Sequence, residues 1–230
     1  MNIAEKAYEL GIRKATIGFS TGKDSVVGLD MLIKAGIEPI PIFFYQVPKL
    51  QFIEDNIKMY EDYFGVKVAR MPHPILHDYI NGASWQPLNR AVLFYQFDFG
   101  SISFRECTEA FLEYNYITDV EYDCNCMKMA DSLNRRLVLS KKPDIDQEKK
   151  IIYLTKYLTK TDVFDYIKKN NIPLTKDYDI FGVSWDGLAY HFLTGVKKFY
   201  PEDYEKIKSY FPMIDAEILR YKLHNKYKNE

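Results

Sequence analysis

Six consecutive small or polar residues, at positions 20–25, are of types suited to binding an anion. Gly22 lets the main chain approach an anion closely and can adopt a positive φ angle. Lys23 contributes a positive charge. Hydroxyl donors come from Ser20, Thr21 and Ser25. The stretch is therefore predicted to hold a phosphate or sulfate group.

Asp24 is the one carboxylate in this stretch, and a polyphosphate would repel it. Two roles account for its presence. It is either the N-cap of the helix that follows or a ligand for a Mg²⁺ ion that bridges phosphate groups. Under the second interpretation Asp24 is the metal ligand, and Lys23 and Asp24 are both candidate catalytic residues.

The elements on either side of the stretch would place it at a strand-to-helix junction. Residues 15–19 are apolar or β-branched, which is typical of a short buried strand. Apolar residues then recur at helical spacing from 26 to 33, and Gly36 ends the helix. In such a junction of strand, tight loop and helix, the N–H groups of the loop and the N-terminus of the helix point to one place. An anion can bind there.

A second set of polar residues follows a predicted strand at 122–129. Three of them are cations that could neutralise the far end of the anion, and one is a hydroxyl: Lys128, Arg135, Arg136 and Ser132. If this strand is parallel to the first, both end at the same sheet edge and face one crevice. The alternative is the solvated basic start of an ordinary helix.

The rest of the chain alternates strands with helices, which predicts right-handed crossovers and a parallel sheet. Strands are predicted at 15–19, 39–47, 66–71, 122–129 and 151–154. Helices are predicted at 2–13, 26–36, 50–64, 75–80, 104–116 and 159–169, the last capped by Thr161 or Asp162. We expect an α/β fold with a doubly wound, five-stranded parallel sheet in a domain at 1–172, and a helical C-terminal appendage at 173–230.

Two stretches have no clear periodicity. Residues 82–100 are rich in aromatic side chains and are expected to be irregular, as a lid, a substrate-facing insertion or a partner surface. Residues 141–150 are polar and charged and are expected to form a loop.

The polar segments resemble the PP-loop ATP pyrophosphatases, and within them the phosphoadenosine phosphosulfate (PAPS) reductase family. Residues 20–25 follow the pattern Ser-x-Gly-x-Asp-Ser, with Thr21 in place of the first glycine of the family's Ser-Gly-Gly-Lys-Asp-Ser. The family also has a segment Gly-x-Arg-x-x-x-Ser-x-x-Arg. Lys128, Ser132 and Arg135 stand on its first Arg, its Ser and its second Arg. Lysine keeps the charge but loses the bidentate geometry of arginine.

A third segment, at 151–167, is similar to the family's hydrophobic strand followed by Trp-Thr-x-x-Asp-Val-x-x-Tyr-Ile, with Leu158 in place of the Trp. The resemblance implies an adenine nucleotide alpha hydrolase-like, Rossmann-like fold that binds an adenine nucleotide. It implies ATP or PAPS as the substrate, with Mg²⁺ if ATP is used, and adenine near Phe44 and Tyr45. Similar small sequences are common in bacteriophages.

The chain departs from the reductases in its cysteines. The family attacks sulfur with a cysteine in a C-terminal Glu-Cys-Gly-x-His segment, and this chain has no cysteine after Cys126. A reductase reaction would therefore need a thiol from a protein partner. Cys107, Cys124 and Cys126 could be cluster ligands, but Cys-x-Cys on a strand points its side chains to opposite faces, which favours ordinary packing.

His73 follows the third predicted strand, at the sheet edge where ligands bind, and its usual pKa range suits acid–base catalysis. The alternative is a loop or packing histidine. The net charge of −1 gives no indication of direct nucleic-acid binding, and no apolar run is long enough for a membrane helix. Three cysteines and the absence of a signal-peptide pattern favour the cytoplasm, or the host cytoplasm if a phage encodes the chain.

The sequence thus predicts an enzyme of the PAPS reductase-like family. It would either act on PAPS or a related sulfonucleotide, or split ATP between the α and β phosphates to activate an acceptor substrate that the sequence does not identify. The alternative is a nucleotide-binding module without turnover, in a nucleic-acid-modification or sulfur-relay complex. The oligomeric state is open, with a homodimer as one candidate.

Overall fold

The fold is that of a computed structural model, which describes residues 1–97 and 100–228 and the side chains up to residue 223 outside that gap. Parts of the predicted regions 82–100 and 173–230 lie outside the described residues. Six strands form one sheet: β1 (Lys14–Gly18), β2 (Glu38–Tyr45), β3 (Ala69–Pro72), β4 (Tyr122–Asn125), β5 (Ile145–Asp146) and β6 (Ile151–Tyr153).

Helices connect these strands and make up the described C-terminal region. Those up to β6 are α1 (Ile3–Glu9), α2 (Lys23–Ala35), α3 (Gln51–Phe64), α4 (Pro74–Asn81), α5 (Leu88–Phe94), α6 (Phe104–Tyr114) and α7 (Leu133–Ser140). The later ones are α8 (Lys160–Lys169), α9 (Asp177–Phe181), α10 (Tyr190–Phe199), α11 (Pro201–Tyr210) and α12 (Asp215–Lys228). None of the helices in the described residues is long and apolar enough to span a membrane.

The sheet order β3-β2-β1-β4-β6-β5 confirms the predicted doubly wound α/β fold. β1 pairs in parallel with both β2 and β4, and β4 pairs in parallel with β6. The predicted count of five strands is wrong, because the edge strand β5 lies antiparallel to β6. β5 falls within the predicted loop 141–150. β5 has only two residues, and Ile145 pairs with Ile152 of β6. A strand this short has no periodicity by which the sequence could reveal it.

Three further local predictions need correction. The stretch 82–100 is not irregular throughout, since it contains α5. The strand predicted at 122–129 ends at Asn125, whose side chain accepts a hydrogen bond from the N–H of Met127 at 2.8 Å and turns the chain. Helix α8 is capped by Thr159 rather than by Thr161 or Asp162, and Asp162 completes a capping box with it.

The chain divides into two compact units, each built from several segments. The first comprises Met1–Phe44, Ile57–Met71 and Thr108–Thr175, and the second comprises Tyr45–Asn56, Pro72–Cys107 and Lys176–Glu230. The core of the first unit includes fully buried apolar residues from the sheet and α2, among them Ile17, Val27, Leu29, Leu32 and Ile152. The predicted domain boundary after residue 172 stays a prediction.

The second unit has an aromatic core. The ring of Phe52 stacks on Tyr200 with centroids 4.8 Å apart and meets Trp185 edge-on at 5.2 Å. The carboxylate of Asp203 accepts hydrogen bonds from the N–H groups of Gln51 and Phe52 at 2.7 and 3.0 Å. Asp203 therefore satisfies N–H groups in the first turn of α3 that no helical carbonyl reaches.

Candidate functional site

The switch point of the sheet lies at β1, whose neighbours β2 and β4 are on opposite sides. Because β1 and β4 are parallel, the chain leaves both strands at the same edge of the sheet. The stretch 20–25 follows β1, and the polar segment 126–135 follows β4. In open α/β sheets a crevice at this position is where ligands bind.

Helix α2 begins directly in the predicted anion-binding stretch. Its N-cap is Gly22, with extended φ and ψ angles of −78° and 152° and no side-chain cap. Asp24 lies in the first turn of the helix, so the N-cap interpretation of Asp24 is wrong. The first N–H groups of α2 have no acceptor within the helix and carry the positive end of its dipole.

Thr21 holds the unusual backbone conformation of the loop. Its φ angle is 58°, in the left-handed region, whereas Gly22, expected to tolerate such an angle, is extended. A β-branched residue in this region is strained. Thr21 is also fully buried, and its Oγ1 has no hydrogen-bond partner within the described part of the chain. A buried hydroxyl without a partner is costly, and a bound ligand would be one way to satisfy it.

The two serines brace the loop from inside. The hydroxyl of Ser25 donates to the carbonyl of Gly22 at 2.9 Å and accepts from the N–H of Ser20 at 3.2 Å. The oxygens Oγ of Ser20 and Ser25 lie 3.2 Å apart, and Ser20 Oγ also accepts from the N–H of Gly22 at 3.4 Å. These contacts give the loop a defined shape before any ligand is present.

A chain of alternating charges joins the loop to the segment after β4. Lys23 Nζ lies 3.2 Å from Asp24 Oδ2, and the same oxygen is paired with Lys128 Nζ. Lys128 Nζ in turn lies 3.0 Å from Asp131 Oδ1, and Arg135 NH1 lies 2.7 Å from Asp131 Oδ2. The structure thus brings together four residues that the sequence proposed for the site, although they come from two distant segments.

The geometry of Asp24 leaves one oxygen unused. Both of its ion pairs are made by Oδ2, while Oδ1 is buried and has no partner among the described residues. Lys128 is only 1% exposed, and the carboxylates that touch it compensate its buried charge. A divalent cation held by Oδ1 and by phosphate oxygens would suit this carboxylate, since Mg²⁺ typically binds one or two carboxylates together with phosphates.

Asp131 is a site residue that the sequence interpretation missed. Burial opposes ionisation of Asp131, but its contacts with Lys128 and Arg135 outweigh that effect and lower its pKa. The signal was present in the sequence, because Lys128 is three residues before Asp131 and Arg135 is four residues after it. Opposite charges at these spacings approach one another where the chain turns, as it does just before α7.

Of the remaining predicted residues of the second segment, Ser132 has a structural role and Arg136 lies at the surface. Ser132 is the N-cap of α7, and its hydroxyl accepts from the N–H of Arg135 at 3.1 Å. Arg136 is exposed.

Thr155, after β6, donates from Oγ1 to the carbonyl of Cys126 at 2.7 Å, and the N–H of Met129 donates to the carbonyl of Lys156 at 2.9 Å. The loop after β6 therefore fixes the segment that carries Lys128.

Helix α2 packs tightly against the same segment. A Cβ atom on Gly28 would lie 2.4 Å from Cys126 Sγ, so only glycine fits at this position without a shift of the neighbouring chain. Burial raises the pKa of the Cys126 thiol, and the nearby charge of Asp24 adds to the effect. Burial likewise raises the pKa values of Cys107 and Cys124. All three thiols are therefore protonated at neutral pH and poor nucleophiles.

His73 and Tyr45 belong to the second unit, whereas the loop and the ion pairs belong to the first. His73 is the N-cap of α4: its side-chain Nδ1 accepts from the N–H of Ile75 at 3.0 Å, and its backbone N–H donates to the carbonyl of Tyr45 at 2.9 Å. Burial lowers the pKa of His73. A helix-capping role explains these contacts, and its catalytic role stays a prediction.

The described residues contain no group of three or more His, Cys, Asp or Glu side chains placed to hold a metal ion. A metal at this site would therefore depend on oxygens of the ligand as well as on Asp24. That arrangement is common for Mg²⁺ bound to nucleotides.

Comparisons with known proteins concern the fold. The sequence matches no protein-family model and no curated protein. Among solved structures, the chain is similar to an NH3-dependent NAD synthetase from Campylobacter jejuni in complex with a nitrate ion, at 13% identity over 99% of this chain and 92% of that one, with a TM-score of 0.47.

Two further structures are similar at the same level of identity. One is a phosphoadenylyl-sulfate (PAPS) reductase from Candida auris in complex with phosphate, at 13% identity over 81% of this chain and 88% of that one, with a TM-score of 0.49. The other is an NMN synthetase from Francisella tularensis, at 13% identity over 91% of this chain and 88% of that one, with a TM-score of 0.43.

Proposed function

We propose that this protein binds an adenine nucleotide at residues 20–25 and splits ATP between the α and β phosphates to activate an acceptor substrate. The observation that carries the proposal is the buried, unpartnered Oδ1 of Asp24 at the start of α2, at the switch point of the sheet. A carboxylate in an anion-binding loop is explained by a cation that it shares with the ligand.

The charge of the site supports an anionic ligand. Three cations and two carboxylates meet there, which leaves an excess of one positive charge: Lys23, Lys128, Arg135, Asp24 and Asp131. The N-terminus of α2 adds the partial positive charge of the helix dipole. Stabilisation of the charge that develops on the phosphates would be the main catalytic contribution of these residues.

ATP with Mg²⁺ accounts for the site better than PAPS does. Asp24 Oδ1 would hold the Mg²⁺ ion, which neutralises phosphate charge when it is bound. Reduction of PAPS requires a thiolate, and burial raises the pKa of each of the three cysteines. A sulfonucleotide reaction would therefore need a thiol from a partner protein, which is the second candidate function.

The test is a thermal-shift panel with ATP, ADP, AMP, PAPS and adenosine 3′,5′-bisphosphate, each with and without Mg²⁺. A ligand that binds only the folded state raises the melting temperature by mass action. We expect the largest shift with ATP and Mg²⁺, accompanied by slow release of pyrophosphate. A Mg²⁺-independent shift with PAPS and the bisphosphate would favour the sulfonucleotide reaction, and binding without pyrophosphate release would favour a module without turnover.

A matched pair of double variants assigns the binding to the loop. Lys23→Ala/Asp24→Ala should abolish the ATP-dependent shift. The control, Lys58→Ala/Asp62→Ala, removes an exposed ion pair on α3 with an N–O distance of 2.9 Å and should keep the shift. Unchanged ATP affinity in a folded Lys23→Ala/Asp24→Ala protein would show that the site lies elsewhere.

A further inference from the structure

Asp131 organises both of the cations that follow β4. Its carboxylate accepts from Lys128 Nζ at 3.0 Å, from the backbone N–H of Lys128 at 3.3 Å and from Arg135 NH1 at 2.7 Å. It is partly buried, with 27% of its side chain exposed. One carboxylate therefore fixes the positions of two positive charges that face the same edge of the sheet.

Lys128 is shared between two carboxylates that differ in their other contacts. Asp24 lies in the first turn of α2 and has an unused oxygen, whereas both oxygens of Asp131 are engaged. If Asp24 turns toward a divalent cation, Lys128 loses part of its contact with Asp24 but keeps Asp131. Without Asp131, Lys128 would depend on Asp24 alone and would compete with the cation for that carboxylate.

We propose that Asp131 is a positioning residue: by holding Lys128 and Arg135 in place, it leaves Asp24 available to the divalent cation. This inference rests on the proposed nucleotide site and adds to it the residue that makes binding depend on the metal. Asp131 does not touch the ligand itself.

The neutral variant Asp131→Asn should change two measurements in opposite directions. It removes a negative charge, so the site attracts the metal-free nucleotide more strongly. It also leaves Asp24 as the only carboxylate on Lys128. Lys128 then competes with the divalent cation for Asp24, so the cation raises the affinity for the nucleotide less. A residue with a merely structural role would weaken binding with and without the metal alike.

Calorimetric titration of ATP, with and without Mg²⁺, into the wild-type protein and Asp131→Asn tests the proposal. We expect metal-free ATP to bind roughly threefold more tightly to Asp131→Asn, as removal of a nearby like charge implies. The gain in affinity on adding Mg²⁺ should fall by roughly tenfold, within the range of coupling between residues in contact. The exposed carboxylate of Asp62 supplies the control Asp62→Asn, which should change neither value.

Two further variants make the result specific. In an Asp24→Asn background, Asp131→Asn should no longer alter the effect of Mg²⁺, because the competition for Asp24 has been removed. Asp131→Glu keeps the charge and should retain most of the wild-type Mg²⁺ effect. If Asp131→Asn fails to fold, Asp131→Ser, which also removes the charge, takes its place as the test variant. Melting temperatures without nucleotide establish that each variant is folded.

An equal loss of affinity with and without Mg²⁺ in Asp131→Asn would overturn the positioning role and leave the nucleotide site standing. An unchanged Mg²⁺ effect in that variant would overturn it as well. Absence of nucleotide binding by the wild-type protein would instead overturn the proposed function, and the inference with it, so the two failures are distinguishable.

Discussion

Two buried lysines follow neighbouring strands of the sheet and have different surroundings. Lys128 comes after β4 and is 1% exposed, and Lys156 comes after β6 and is 3% exposed. Each pairs with a carboxylate: Lys128 with Asp24 and Asp131, and Lys156 with Asp144. Burial and charge alone therefore do not distinguish a residue of the candidate site from one that stabilises the fold.

The network around Lys156 is complete. Its Nζ donates to the carbonyl of Lys142 at 2.5 Å and lies 3.5 Å from Asp144 Oδ1. That oxygen also accepts from Tyr157 at 2.7 Å, and Asp144 Oδ2 accepts from Lys6 at 3.1 Å. Every polar group named here has a partner, and the network holds the edge of the sheet at β5.

The network around Lys128 is incomplete. Asp24 Oδ1 and Thr21 Oγ1 are both buried and have no partner in the part of the chain that the structure describes. Native proteins rarely leave buried polar atoms unsatisfied unless a ligand, an ion or water meets them. Unused hydrogen-bonding capacity beside Lys128, rather than buried charge itself, distinguishes its network from the network around Lys156.

The largest effect is expected at the complete network. Asp144→Asn removes the carboxylate from Lys156, which has no second carboxylate among the described residues. Loss of one partner of a largely buried pair leaves an uncompensated charge, so the free energy of unfolding should fall by about 3 kcal/mol. Urea denaturation measures this loss. Nucleotide affinity should not change.

Asp62→Asn is the control for Asp144→Asn, because Asp62 pairs with an exposed lysine, Lys58. The stability of the Asp62→Asn variant should match that of the wild type. If Asp144→Asn kept full stability, or if it weakened nucleotide binding, the separation between the two networks would not hold.

An intermediate effect is expected from Lys128→Met. Asp24 keeps Lys23 and Asp131 keeps Arg135, so this variant should lose less stability than Asp144→Asn does. Its affinity for ATP with Mg²⁺ should fall by about 30-fold, or about 2 kcal/mol, as expected for one charge-assisted hydrogen bond. Calorimetric titration gives the affinity, with Lys58→Met as the matched lysine control.

If Lys128→Met bound ATP as tightly as the wild type, Lys128 would be a structural residue like Lys156. The distinction between the two networks would then rest on Asp24 and Thr21 alone.

The smallest effect is expected at Thr21. Thr21→Gly removes a left-handed β-branched residue and a buried hydroxyl without a partner, at the cost of extra backbone entropy in the unfolded chain. Stability should rise by about 1 kcal/mol on balance. If the hydroxyl contacts the bound anion, nucleotide affinity should fall by about fivefold in the same variant.

Thermal denaturation and calorimetric titration of Thr21→Gly provide the two values. Opposite signs for stability and affinity are the signature of a strained binding loop. A decrease in stability together with unchanged affinity would instead make Thr21 a packing residue.

Local sequence signals were sufficient for most of the elements. The predicted ends of α2 at Gly36 and of α3 at residue 64 are confirmed, and Gly36 and Gly65, the glycines that follow these helices, have positive φ angles. The capping box of α8 was also visible, as Thr159 and Asp162 three residues apart, although another cap was predicted. Strand β5 was missed because a two-residue strand has no periodicity of its own and depends on its partner β6.

The sequence alone determined the strand, loop and helix around residues 20–25. The small residues lie between an apolar run typical of a strand and apolar residues at helical spacing, and this pattern specifies the junction locally. It also determined the types of charge available. Only the tertiary structure decided that Asp24 pairs with Lys128, 104 residues away, and that Asp131 holds Lys128 and Arg135 in place. The reason is the parallel pairing of β1 with β4, a non-local contact that brings the loops after both strands to one edge of the sheet.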